Sequence, residues 1–240
     1  MSYLKSNVHI SSLTYSPDDS ISRKKGRLRM KKTSLKSGTL LAPLPSVMVS
    51  CSDGKEDNII TIAWTGIINS DPPMTYVSIK PSRHSYAMVK KSKEFVINLV
   101  GEDLVFAMDH CGCRSGKDED KFETMHLTKE KGDIVSCPMI AESPVNLECK
   151  VVGTKKLGSH DMFMAEIVAV HVNDKLVQKS GRVAYEKANL VSFVHGEYYS
   201  LNPRRLGTFG YSVMKPKTQK KRKAEGKPSG GKKPHFEEKK

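Results

Sequence analysis

Ser82-Arg83-His84-Ser85 gathers two hydroxyls, a guanidinium and an imidazole into four consecutive positions, at the point where an extended run gives way to a helical one. Pro81 precedes it, and SRHSYAMVKKSKEF opens on a capping-type Ser82 and continues with spacing suited to a helix. The first-turn N–H groups of such a helix have no intrahelical acceptor and sit at the positive end of its dipole. Hydroxyls, a cation and unpaired N–H groups together form the donor set that suits a phosphate.

The elements around this turn are mostly strands. Val47–Cys51, Ile59–Ile68 and Thr75–Ile79 are rich in β-branched residues and are bounded by Asp53-Gly54 and Asp71-Pro72-Pro73, the punctuation of short antiparallel strands. Phe95–Val100 reads as a strand, Glu102–His110 as a short helix and 117–123 as a charged loop. Val145–Val152 and Met162–Val172 are two strands that GTKKLGSHD joins into a hairpin, and Leu190–His195 adds one more. Six or more strands with a few short helices predict a mainly β (α+β) fold, an antiparallel closed or split barrel rather than a parallel α/β sheet.

The formal charge of +14 points first to nucleic acid or an anionic surface. Its distribution argues otherwise for the body: residues 1–36 hold 9 Lys/Arg against 2 Asp/Glu, residues 215–240 hold 11 against 3, and 37–214 hold 20 against 21. The chain therefore divides into a basic extension over 1–36, a near-neutral domain over 37–214 and a basic tail over 215–240. The tail lacks the apolar residues that would offset chain entropy and is predicted to be disordered. In the head, Val8, Ile10, Leu13 and Tyr15 alternate as a marginal strand, and Met30-Lys31-Lys32 offers an alternative translation start. Nucleic-acid binding through these ends is an accessory expectation. No run approaches 18 apolar residues, so a cytoplasmic protein without a membrane segment is expected.

Five cysteines, an odd number, argue for reduced thiols. Cys111 and Cys113 with His110 and His126 suggest a metal site only superficially, because structural zinc wants a second such pair. No metal is expected; Cys51 and Cys149 read as small buried residues. G-x-G-x-x-G, the P-loop, H-E-x-x-H and G-x-S-x-G are all absent from the sequence. Redox chemistry would need a different kind of cofactor pocket.

A resemblance supplies one. Asn58-Ile-Ile-Thr61-Ile-Ala63-Trp64-Thr65-Gly66, the Ser70-Asp71-Pro72-Pro73 turn, Ser82-Arg83-His84-Ser85, Ser115-Gly116 with Asp120-Lys121-Phe122, and His195-Gly196-Glu197-Tyr198-Tyr199 occur in an order and spacing that resemble the flavin reductase-like family of FMN-binding split β-barrels, and within it the flavoredoxin-like branch. The resemblance covers roughly residues 37–214. It implies FMN in a groove lined by two subunits, and hence a homodimer. Arg83 and Lys121 would meet the phosphate charges, with Ser82, Ser85 and local N–H groups as neutral donors; ordinary solvated cations are the alternative. Asn58, Thr61, Ala63, Trp64 and Thr65 would lie along the isoalloxazine, and Phe122 is assigned to the cofactor beside Lys121. Trp64 either borders the flavin or packs in the core. His84 bonds the phosphate or caps the helix, and His195 faces the nicotinamide or the flavin edge, with a plain hydrogen-bonded role open to both.

The implied activity is electron transfer from NAD(P)H to FMN and from there to free flavin or an acceptor, with no catalytic acid–base residue required. The alternatives are a flavoredoxin-like carrier that keeps FMN bound and is reduced by a protein partner, and a nucleic-acid-binding protein acting through its basic ends.

Overall fold

The computed structural model describes residues 21–24, 27–201 and 205–224. The chain falls into a body, Leu40–Arg204, and a second unit made of the flanking segments. In chain order, β1 (Ile21–Lys24) and β2 (Arg27–Met30) belong to the flanks. The body begins with β3 (Leu44–Pro45), β4 (Val47–Ser52), β5 (Asp57–Ile62), β6 (Thr65–Ser70), β7 (Pro73–Ile79), α1 (His84–Ser92) and β8 (Glu94–Leu99). It continues through α2 (Val105–Cys113), α3 (Lys121–Thr124), β9 (Lys129–Glu130), β10 (Met139–Ile140), β11 (Val145–Lys156), β12 (Asp161–Val172), β13 (Val191–Val194) and β14 (Glu197–Ser200). The last helix, α4 (Pro216–Ala224), lies in the flanks.

Seven antiparallel strands form one sheet in the order β5-β4-β8-β11-β12-β7-β6. Its two edges, β5 and β6, are consecutive in the chain and are joined only by Ala63-Trp64. Such a sheet must curl until its edges come together. No ladder closes the gap between them, so the barrel is split there, as the sequence predicts for its fold class. One expectation changes in detail: Ile59–Ile68 is two strands. β5 pairs with β4 while β6 pairs with β7, and the Trp64 carbonyl accepts from Ser78 N at 3.0 Å, so the chain exchanges partners at the corner.

β4 is buried along its whole length, which explains why VMVSC reads as a continuous apolar run. Val47, Val49 and Cys51 pack inside the barrel with Ile60, Ile62, Val77, Phe95 and Phe163, closed by Met88 and Val89 of α1. Met48 and Ile59 point the other way, against Met108, Cys111 and Phe122 of the α2–α3 layer.

A buried carboxylate holds the connection between α3 and β11. Glu148 on β11 accepts from Asp133 N (2.8 Å), Ile134 N (2.8 Å) and Val135 N (2.6 Å), and lies 2.5 Å from His171 Nε2 on β12. Gly132 permits this close approach, since a Cβ there would stand 2.7 Å from Glu148 Oε2. Asp133, Glu148 and His171 bring potential ligand atoms within 4.8 Å of one another. Both oxygens of Glu148 are already engaged, so this cluster is a structural clasp.

Among the described residues, the basic ends carry a hairpin and a helix. β1 and β2 pair as an antiparallel hairpin with Ile21 opposite Met30 and Arg23 opposite Leu28. α4 forms because Pro216 suits a first helical position and Lys, Gln, Arg and Ala are strong helix formers. The proposed strand around Val8–Tyr15 and residues 225–240 lie outside the described residues. No helix among the described residues is long and apolar enough to cross a membrane.

Burial would by itself raise the Glu148 pKa, but the three N–H donors and His171 outweigh it and hold it at about 2. A depressed carboxylate contributes stability above its ordinary value of 4.5 that is lost as pH falls through the folded value. Glu148→Gln is expected to cost about 3 kcal/mol at neutral pH and to flatten the acid loss between about pH 4.5 and pH 2. Thermal melts of both proteins across that range check this; parallel pH profiles would refute the assignment.

Candidate functional site

A pocket of about 170 Å³ opens where β5, the start of α1 and the loop after α2 converge, and Asn58, Ser82, Arg83, His84, Ser85 and Lys121 all line it. Asn58, buried on β5, donates from Nδ2 to Ser85 Oγ at 2.8 Å and so ties the strand to the helix start. Gly116 lies directly on Asn58: a Cβ would fall 2.2 Å from Oδ1, so only glycine allows the 115–117 loop to close this wall.

The N-cap of α1 is Arg83 rather than Ser82, in extended conformation, with no side-chain cap and no acidic residue in the first turn. The positive end of this helix is therefore left for an anion. His84 lines the pocket, but its Nε2 lies 2.8 Å from Glu56 Oε1.

Lys121 is the most informative member. It is 3% exposed, and its ammonium donates to the carbonyls of Ile59 (2.7 Å) and Cys111 (2.8 Å), joining β5 to α2. It therefore forms the floor of the pocket instead of reaching out as a free clamp. No carboxylate among the described residues forms an ion pair with it. Burial lowers its pKa. A buried ammonium held by neutral carbonyls gains from a nearby anion.

Arg114, the C-cap of α2, is a lining residue that sequence reasoning missed, together with Ser115. The available signal was Arg114-Ser115-Gly116, a cation, hydroxyl and glycine, of which only Ser115-Gly116 was taken up, as a piece of the family resemblance without a binding role.

The remaining assignments separate from the pocket. Thr61 Oγ1 donates to the Met108 carbonyl, and Thr65 Oγ1 donates to the Tyr76 carbonyl at 2.6 Å; both brace the sheet. Ala63 is buried at the split, and Phe122 is a core residue beneath Lys129. His195 is not among the pocket residues. With φ values of 48° and 97°, His195 and Gly196 form the tight turn of the β13–β14 hairpin.

Trp64 is not core. It is 43% exposed at the split, and its ring stacks on His160, with centroids 6.1 Å apart and planes 9° from parallel. His160 is a second residue missed by sequence reasoning, which read GTKKLGSHD only as a hairpin connection. Partial burial and then the positive fields of Lys80 and Arg83 lower its pKa, so the imidazole is neutral at neutral pH. Arg83 thus belongs to the anion pocket and acts electrostatically on the aromatic pair.

Cys111 is buried, Cys113 is exposed, and His110 Nε2 lies 2.8 Å from Glu119 Oε1; among the described residues these thiols do not gather with the nearby histidines into a ligand cluster. Burial pushes Cys51 and Cys137 up to about 12 and Cys111 up to about 11, and it raises Cys149 as well. Native protein titrated with a disulfide reagent at mildly alkaline pH should show one fast thiol, absent in Cys113→Ser, with the others reacting only on unfolding. A second fast thiol would contradict the packing around the pocket.

Comparisons with known proteins match this geometry to a family. The flavin reductase like domain profile covers residues 40–200. Flavoredoxin of Desulfovibrio vulgaris (Miyazaki F) superposes with a TM-score of 0.71 at 30% identity, over 75% of this chain and 98% of its own. An uncharacterized protein of Archaeoglobus fulgidus is 29% identical over 68% of this chain and 90% of its own. The reductase component of a 4-nitrophenol 4-monooxygenase/4-nitrocatechol 2-monooxygenase from Rhodococcus opacus is 28% identical over 51% of this chain and 62% of its own. With its curled sheet, its cation-lined pocket and a profile match over most of its length, the chain belongs to the flavin reductase-like family of flavin-binding split barrels.

Proposed function

We propose that the pocket holds the phosphate of FMN and that the protein is an FMN-dependent oxidoreductase drawing electrons from NAD(P)H. The observation that carries this reading is the buried Lys121 ammonium, which has no carboxylate partner among the described residues and lies under a pocket that Arg83, Arg114 and an uncapped helix start also face. A phosphate dianion offers the countercharge this arrangement lacks. The donor set fits such a group: two guanidiniums, the Ser82 and Ser115 hydroxyls, and the first-turn N–H groups of α1.

From that anchor, the rest of the cofactor would run toward the split and the exposed face of Trp64. Bound FMN would supply two-electron chemistry at its ring. The chain's task is to hold two flat rings against each other and exclude water. Trp64 and the neutral His160 present an uncharged, planar surface beside the pocket, suited to a flavin or nicotinamide ring. Edge strand β6 leaves Ile67 and Ile68 exposed; an uncovered apolar edge favours a second copy of the chain, which would complete the groove. Reduced thiols accord with a cytoplasmic location.

A second reading draws on the likeness to flavoredoxin: FMN stays bound and a protein partner delivers the electrons. Anaerobic titration separates the two. Bleaching of the bound flavin by NADH or NADPH within seconds marks a reductase, whereas yellow protein that stays oxidised until a redox protein is added marks a carrier. Colourless protein that takes up no FMN would refute both.

Arg83→Ala and Arg114→Ala are each expected to weaken FMN about 10- to 100-fold while leaving riboflavin affinity nearly unchanged, because each removes a charge-assisted bond to phosphate alone. Calorimetry with the two ligands tests this. Equal losses for both would place the phosphate elsewhere. His160→Ala should raise KM for the nicotinamide more than it weakens FMN, measured by steady-state kinetics beside the same binding titration.

A further inference from the structure

We propose that α4 and the basic residues around it form a binding surface for the phosphodiester backbone of nucleic acid. From Arg205 to Ala224 the sequence carries seven Lys/Arg and no Asp or Glu. Within α4, Lys217, Lys220 and Lys221 stand at i, i+3 and i+4 and so share one face, and all three are exposed. Arg222 adds a charge on another side. Among the described residues, none of these four has an ion-pair partner.

This arrangement is unfavourable by itself. Like charges at i, i+4 repel, and nothing on the helix relieves them. Lys217, near the helix start, also meets the wrong end of the dipole. A dense row of phosphates reverses both effects: each Lys or Arg that neutralises one displaces a condensed counterion, and the entropy of release drives binding. The sequence of 225–240 adds five Lys against three Glu.

The occupant can be narrowed. A helix that lies in a membrane interface needs an apolar face. Between Lys217 and Lys223 the sequence KTQKKRK offers none. An acidic protein surface would present sparse carboxylates, whereas this helix concentrates cations at a spacing suited to a continuous polyanion. The near-neutral body, with 20 Lys/Arg against 21 Asp/Glu over 37–214, adds no competing basic stripe. The surface carries no base-reading geometry, so the contact is independent of sequence.

Fluorescence anisotropy of the full chain with labelled oligonucleotides of about 20 nucleotides, single-stranded RNA and duplex DNA in separate arms, tests this. Micromolar binding in about 0.1 M salt is expected, with affinity falling steeply as salt rises. Combined Lys217→Gln, Lys220→Gln, Lys221→Gln and Arg222→Gln, which keep helix propensity, should weaken binding at least about 10-fold and reduce the log–log salt slope by about 3. A control with Lys131, Lys155, Lys156 and Lys179 changed to Gln removes the same charge from the body and should leave binding within about twofold if α4 is the site. The RNA and DNA arms decide which polymer is preferred. Equal losses in the two variants, no binding to either polymer, or binding to phosphatidylserine vesicles in place of nucleic acid would each overturn the proposal.

Discussion

The covalent link of two residues between β5 and β6 governs this molecule, because it forces the first and last strands of one sheet to meet. The edges meet without pairing, so each must satisfy its outward backbone groups by other means. On β5, the Ile59 carbonyl finds the ammonium of Lys121. That one bond brings α3 against the barrel and buries a cation at the site where Arg83, Arg114 and the start of α1 already converge. The split in the barrel and the anion pocket thus have a common origin: an unpaired strand edge recruits a charge, and the charge sets the chemistry of the cavity above it.

Two of the body's buried charges, Glu148 and Lys121, are treated in opposite ways. Glu148 is surrounded by donors, three backbone N–H groups and an imidazole, and serves to fix a long connection in place. Lys121 donates to two carbonyls and has no direct carboxylate partner among the described residues. The first is a finished structural element. The second is the kind of incomplete environment found where a ligand belongs, since folding energy has been spent to hold a charge ready for it.

Much of this was legible in the sequence. β-branched runs with Asp-Gly and Asp-Pro-Pro punctuation gave the strands, and Ser82-Arg83-His84-Ser85 marked the turn that lines the pocket directly, since those residues are adjacent. What stayed hidden depends on register and topology. Trp64 could be core or surface until it was placed in the corner between β5 and β6. That the Thr61 and Thr65 hydroxyls turn to the Met108 and Tyr76 carbonyls could not be read from their spacing. Arg114 and His160 come from connections that only tertiary structure brings beside the turn. At the flanks, α4 has strong helix formers but no apolar face, so apolar periodicity gives no sign of it.

The aromatic pair at the split has an optical consequence. Trp64 is the sole tryptophan of the chain, so tryptophan emission from the whole protein originates at one indole, stacked at 6.1 Å between centroids on one imidazole. A protonated imidazole quenches an adjacent excited indole more strongly than a neutral one, and a flavin ring nearby would drain its energy by resonance transfer. The molecule therefore carries its own fluorophore at the mouth of its groove, and its brightness reports on that locale without any label.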